Sequence, residues 1–169
     1  MMLLNKDPFL TIYQGWHDYQ KILTKAIAPL SAEQLSLRAS SDLRSVGEIA
    51  AHVIGVRARW FRSIPGIYLQ LGDFGDDFKA FGGWDSKSAT VRNVGELVTG
   101  LEVTWTGMQQ AISRWTPQDW EQTWPGDDDD EPEAITRAWV LWHLIEHDIY
   151  HGGQISITLQ AHGVPALEL

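Results

Sequence analysis

The sequence predicts an all-α protein: a four-helix bundle with short extra helices and a long connector between the second and third helices. Three observations carry this expectation. Four segments place apolar residues at three- and four-residue steps, the period of an amphipathic helix. These segments are bounded by recognisable start or stop residues. Strand signals are few, so helix packed on helix is the architecture left.

The first helix is expected from about Asp7 to Ala28. Phe9, Ile12, Tyr13, Trp16, Tyr19, Ile22, Leu23 and Ile27 recur at helical spacing, and Pro29 closes it. Leu30, Ser31–Glu33 and Leu35 then read as a short turn with helical character. Ser45 and Glu48 form a capping box that starts the second helix, which runs to about Ile64 and stops before Pro65–Gly66. The third begins at Asn93, with Glu96 three positions on, and continues to about Trp115; Thr116–Pro117 opens another short turn. The fourth is the longest, from about Pro132 or Glu133 to His162, ended by Gly163 and Pro165. Between Gly66 and Thr90 the stretch GDFGDDFKAFGGWD reads as a connector, either a wandering connection with its own short helix or a lid.

Composition narrows the function classes. The chain has 169 residues, 44% of them hydrophobic, with 9 Trp, so it reads as one folded domain rather than a disordered chain. There is no cysteine, which excludes disulfides, thiolate zinc sites and a cysteine nucleophile. The formal charge of −9 comes without a basic stripe, so no nucleic-acid partner is expected. No run of about 18 apolar residues is present, so no membrane span is expected. Lys6 and Asp7 fall where a signal peptide would be apolar, and a cytoplasmic location is the default. Asp127 to Glu131 is an acidic run without the spaced ligands and turn glycine of a calcium loop. It reads as a solvated loop near the start of the last helix.

The histidines carry the chemistry. Six are present, and His143, His147 and His151 follow one another at four-residue steps. Either neighbouring pair can place two imidazoles around one ion. All three spread over roughly 80° and 12 Å of helix, too far for a single ion. The helix therefore supplies two ligands and another element must supply more. Thr136, His143, His151, Gln154 and Thr158 project within roughly 40° of His147, a polar line through an apolar helix expected to be central in the bundle. A metal or a hydrogen-bonded network would satisfy that line. His52, inside the second helix, is the best further ligand; His17 is a weaker one, and His162 lies at the end of the last helix. Glu48 and Arg59 share the His52 side of their helix. Core histidines held by ordinary hydrogen bonds are the plain alternative to a metal site.

The stretch His147-x-x-x-His151-Gly152-Gly153-Gln154-Ile155, with its helix stop at Gly163, resembles the last-helix signature of the DinB-like (DinB/YfiT-like) proteins. Glu146–His147–Asp148 fits a common variant, and Glu48–Ile49–Ala50–Ala51–His52–Val53 resembles the family's first metal-binding helix. The resemblance covers the whole chain in element order. It implies a four-helix bundle in which His52, His147 and His151 hold a divalent metal ion such as Zn, Ni, Fe or Mn. It also implies a homodimer and, by likeness to some relatives, a thiol-dependent S-transferase or isomerase using a small thiol such as mycothiol or bacillithiol. Gly152 departs from the pattern, since many relatives carry Arg there.

The expected function is a metal-dependent transferase or hydrolase acting on a small molecule. No catalytic residue is assigned beyond the ligands. His143, Gln154, Arg59 and Glu48 are the candidates to orient a ligand or touch substrate. Glu146 and Asp148 flank His147 but project roughly 100° from it, so they read as ordinary helix charges or as groups that orient a histidine. The rival readings are a non-catalytic metal-binding protein and a dimeric interaction module, with Trp142, Ile145 and Ile149 facing either a partner or a neighbouring helix.

Overall fold

The computed structural model describes residues 8–85, 91–126 and 134–168. Four long helices form the bundle: α1 (Pro8–Ile27), α3 (Val46–Ser63), α6 (Val94–Ile112) and α8 (Arg137–Ala161). Between them lie the short helices α2 (Ala32–Leu35), α4 (Ile67–Leu71), α5 (Gly75–Phe81) and α7 (Pro117–Glu121). A two-residue antiparallel ribbon, β1 (Thr123–Trp124) with β2 (Ile135–Thr136), pairs Thr123 with Thr136 and Trp124 with Ile135 before α8. The acidic run at 127–131 and the expected helix start at 132–133 lie outside the described residues.

Local chemistry fixes the helix starts. Ser45 with Glu48, Asn93 with Glu96 and Ser31 with Gln34 each close a reciprocal capping box, satisfying two otherwise orphan amides apiece. Thr136 caps α8 by accepting the Trp139 amide at 3.0 Å. That start falls a few residues later than the sequence suggests, because the ribbon occupies Ile135 and Thr136.

Helix α3 is the centre of the bundle. Twelve of its 18 residues are buried, and it packs on α8, α6 and α5, while α1 closes the ring against α6 and α8. The expectation that α8 is the central helix is therefore corrected. One face of α8 is buried through Val140, Leu141, Leu144, Ile155 and Leu159, but Trp142, Ile149, Tyr150 and Ile157 are exposed. Apolar periodicity marks a face as apolar; it does not say whether the bundle covers it.

The connector has the short helical structure expected of it: residues 67–85 form α4, α5 and two short 3₁₀ turns, with Ile67, Leu71 and Phe78 fully buried beneath them. Gly107 on α6 permits this layer: a Cβ there would lie 2.6 Å from the Phe78 ring. Residues 67–85 are thus part of the core.

Two apolar clusters fill the interior. One joins Trp16, Val56, Phe61, Phe78, Trp105 and Leu144; the other joins Leu23, Ile27, Ile54, Leu97, Ile155 and Leu159. Polar groups are buried alongside them. Arg57 and Asp148 are both fully buried and form a two-pronged ion pair, Nη2 to Oδ2 at 2.6 Å and Nε to Oδ1 at 3.1 Å. Trp16 on α1 donates its indole N–H to the same carboxylate at 2.8 Å. Three helices meet on one aspartate, and the plain helix-charge reading of Asp148 is overturned.

Breaking such a pair leaves an uncompensated buried charge. Asp148→Ala is expected to lower the unfolding free energy by about 3–5 kcal/mol, read by urea denaturation at neutral pH. A loss under about 1 kcal/mol would show that the pair is solvated, as exposed pairs are.

Candidate metal centre

Helix α3 runs antiparallel to α8, with His52 against His147, Arg57 against Asp148 and Trp60 against His143. Five residues before Arg57 stands His52, and one residue before Asp148 stands His147. The two imidazoles meet with their Nε2 atoms 3.1 Å apart. His151, one turn further along α8, completes the group: its ring centre is 4.6 Å from that of His52 and 4.3 Å from that of His147. One ring nitrogen from each histidine lies within 4.8 Å of the others. His151 is buried, and His52 and His147 are half-buried.

The donor set fits a divalent ion. Two imidazole nitrogens bound tetrahedrally at about 2.0–2.1 Å sit about 3.3 Å apart, close to the His52–His147 separation. The rings offer neutral nitrogen, the donor type suited to Zn, Ni and Fe. Among the described residues no fourth His, Asp or Glu joins the group. Three protein ligands with a coordination position left open is the arrangement of catalytic rather than structural zinc sites.

The surroundings orient the rings. Nδ1 of His151 lies 2.6 Å from the Gln154 amide oxygen, which can only accept, so Nδ1 carries the proton and Nε2 keeps its lone pair. Burial pushes the His151 pKa down, and the neighbouring His52 and Arg44 add to this against the opposing pull of Gln154 and Asp148. His151 is therefore neutral at pH 7, as a ligand must be.

The other sequence candidates fall around this group. His143 adjoins it, its ring centre 6.2 Å from that of His147 and its Nδ1 3.3 Å from Glu146 Oε1. Glu48 serves the start of α3: Oε2 accepts the Ser45 amide at 2.7 Å, and Oε1 pairs with Arg38 at 2.8 Å. The Arg38 guanidinium holds the Glu48 carboxyl below the ordinary range. Arg59 is exposed, its guanidinium carbon 5.5 Å from the Trp60 ring centre. His17 is elsewhere, with Nδ1 accepting the Trp105 indole N–H at 3.1 Å between α1 and α6. His162 ends α8 and donates to the Thr158 carbonyl at 2.8 Å.

Gly152 is buried because the Tyr19 ring fills the space a side chain would need; a Cβ there would lie 2.9 Å from Tyr19 Cζ. Tyr19 reaches the Ile149 carbonyl at 3.4 Å, and burial, with the Asp148 charge, pushes its pKa up to about 12. The absence of Arg at this position is thus matched by a phenol occupying the volume. Arg57 and Trp16 are the residues of the supporting layer that sequence reasoning missed.

A helical bundle presenting three convergent histidines is the class defined by this fold and site. The sequence profile of the DinB family matches residues 2–169, and the chain belongs to that family. Its fold is also that of a DinB-like protein from Bacillus cereus ATCC 10987, with a TM-score of 0.63 at 19% identity, covering 93% of this chain and 94% of that one. A DinB-like protein from Bacillus subtilis gives a TM-score of 0.61 at 14% identity, covering 94% of this chain and 96% of that one. No curated protein matches the sequence. Among the described residues, no helix is long and apolar enough to cross a membrane.

Untagged protein is expected to carry close to one divalent ion per chain, and His147→Ala to lose it with the helical signal intact. Gln154→Leu keeps all three ligands but frees the His151 ring, so affinity should fall roughly 10–100-fold. Equal metal affinity for Gln154→Leu and wild type, by competition with a chelator, would contradict the orienting role.

Proposed function

We propose that this chain is a metal-dependent enzyme of small-molecule chemistry, with His52, His147 and His151 holding a divalent ion and a small thiol as co-substrate. The observation that carries the reading is the convergence of three imidazoles with no fourth protein ligand among the described residues. When bound, such an ion supplies Lewis acidity that polarises a carbonyl or lowers the pKa of a thiol or water. The chain itself has no cysteine, so a sulfur nucleophile must arrive with a co-substrate. Gln154 holds the His151 tautomer, and the Arg57–Asp148 pair holds the spacing of α3 and α8. A hydrolase using water as nucleophile shares all of these features.

The test is a thiol-consumption assay with metal-loaded protein, a panel of low-molecular-weight thiols and a soft electrophile such as a halonitroarene. The reading expects thioether formation that requires metal and falls to the uncatalysed rate in His147→Ala. Metal-dependent ester or amide cleavage without thiol would assign the hydrolase instead. A metal-loaded protein inert in both assays would leave a metal-binding protein without catalysis.

The exposed apolar face of α8 favours a homodimer. Trp142, Ile149, Tyr150 and Ile157 are each more than half exposed and lie within roughly 100° of one another along about 22 Å of helix. Contiguous exposed apolar surface of this kind marks association sites. Tyr150 also packs edge-on against His151, with ring centres 5.0 Å apart, so the face adjoins the histidine cluster. Light scattering is expected to give twice the chain mass of 19.1 kDa, reduced to one chain by Trp142→Glu with Ile149→Glu at unchanged helicity. A wild type running as a single chain at high micromolar concentration would refute the dimer.

A further inference from the structure

The His151 end of the cluster looks toward the turn that leads into α3. The two helices are antiparallel, so the order His147, His151, Gln154 on α8 runs toward the start of α3. That turn is fastened on both sides of Arg44. Val46 donates its amide to the Leu37 carbonyl at 2.9 Å, and Arg38 forms an antiparallel bridge with Ser45. The Arg38 guanidinium bonds both the Leu43 carbonyl and Glu48. Ser45 then caps the helix. The backbone at Arg44 is thus held between bonded neighbours, while its side chain is exposed and makes no ion pair or hydrogen bond among the described residues. The nearby carboxylates are engaged elsewhere. Glu48 pairs with Arg38 and accepts the Ser45 amide, and Asp42 accepts from the Ser41 hydroxyl at 3.2 Å. Arg44, Glu48 and His52 follow one another at four-residue steps, so the stripe of α3 that carries His52 leads back to Arg44. The Arg44 charge is felt at His151, where it adds to burial and His52 in pushing the pKa down.

We propose that Arg44 is the anion-recognising residue of the site, taking the carboxylate of a small thiol whose sulfur lies at His52, His147 and His151. The proposal deepens the metal-and-thiol reading above and rests on it. Three neutral imidazoles bring no negative charge to offset a divalent ion, and Arg44 adds positive charge on the His151 side. A cation without a protein counter-ion beside such a site favours a ligand that brings its own negative charge. A guanidinium meets a carboxylate through two parallel N–H donors, which fixes direction as well as charge. His52 and His147 are half-buried and Arg44 is exposed, so both contact points are reached from solvent. The ligand class is therefore a mercapto acid rather than a neutral thiol. Solubility alone also accounts for an exposed arginine, but it gives the site no preference among thiols, and that preference is what the experiment reads.

The test uses the full untagged chain loaded with cobalt(II). It is titrated with 3-mercaptopropionate and with 6-mercaptohexanoate, each against the mercapto alcohol of equal length, and binding is read from the sulfur-to-cobalt charge-transfer band. The acid is expected to bind roughly tenfold tighter than the alcohol at one or both lengths, the step that one well-placed charged hydrogen-bonding pair supplies. Arg44→Met should remove that preference and leave the binding of the alcohols as it is. Arg44→Lys should restore part of it, since the charge is kept and the fork is lost. Should Arg44→Met lose helicity, added salt must remove the preference in wild type while the alcohols bind as before, because an exposed charge pair is screened. A preference that survives in Arg44→Met places the carboxylate on the ion and overturns the proposal. Equal affinity of acids and alcohols in wild type overturns it and leaves the metal-and-thiol reading in place. Bound cobalt with no sulfur band for any thiol overturns it together with the thiol part of that reading. A chain that takes up no cobalt overturns the metal site itself and the proposal with it.

Discussion

The buried ion pair between Arg57 and Asp148 is the constraint on which the rest of the arrangement depends. Each charge taken out of water alone would cost several kcal/mol, so neither residue tolerates a packing in which the other is absent. The bonds between them are 2.6–3.1 Å long, and sliding α8 by one helical turn, about 5.4 Å, would break all of them. Apolar contacts discriminate less sharply, because a leucine shifted by a turn can still be buried. The indole of Trp16 ties α1 to the same carboxylate. Stability is therefore an uncertain benefit of this pair, whereas a fixed relation among three helices follows directly from its geometry.

That relation places the site. His52 and Arg57 are on one helix, and His147 and Asp148 are adjacent on another, so fixing the pair fixes the facing imidazoles. Other buried polar groups of the interior are bonded to the backbone. Gln20 donates to the Leu101 carbonyl at 3.2 Å, and Thr104 donates to that of Gly100 at 2.7 Å. The histidines are only partly covered, with His52 and His147 half-buried. His151 is buried enough to remain neutral, and the group is still accessible from one side. The same antiparallel register continues toward Trp60, Trp139 and His143, whose rings pack together one to two turns from the histidine cluster.

Much of this was legible in the sequence where the signal is local. Capping boxes at Ser45 and Asn93 give helix starts to the residue, because the bonds involved span only three positions. The four-residue spacing of His147 and His151 gives two groups on one face. The interior of α3 places His52 correctly on a helix facing others. The short helices at 67–85 were obscured by four glycines and four aspartates. Ile67, Leu71, Phe74, Phe78 and Phe81 nevertheless step by four and three, and that stripe is the available signal. Arg59 stands out as a neighbour of His52 on the wheel, while Arg57 is not singled out by that pattern. Its signal is its neighbours: Val53, Ile54, Phe61 and Ile64 surround it one and two turns away and all are buried. Asp148 stands likewise among Leu141, Leu144 and Ile155. A charge on an apolar face announces a partner, but the partner's identity is a contact over 91 residues that no local pattern encodes. Whether Trp142 and Ile149 face a neighbouring helix or the outside stayed open in the sequence for a related reason, since periodicity is blind to what lies opposite.

X-ray absorption at the zinc edge of the untagged, zinc-loaded chain tests the central claim most directly. The account predicts three imidazole nitrogens at about 2.0–2.1 Å, completed by a light-atom ligand that exogenous thiol replaces with sulfur at about 2.3 Å. Fewer than three imidazoles, or a first shell of carboxylate oxygens, would contradict the site that the Arg57–Asp148 register builds.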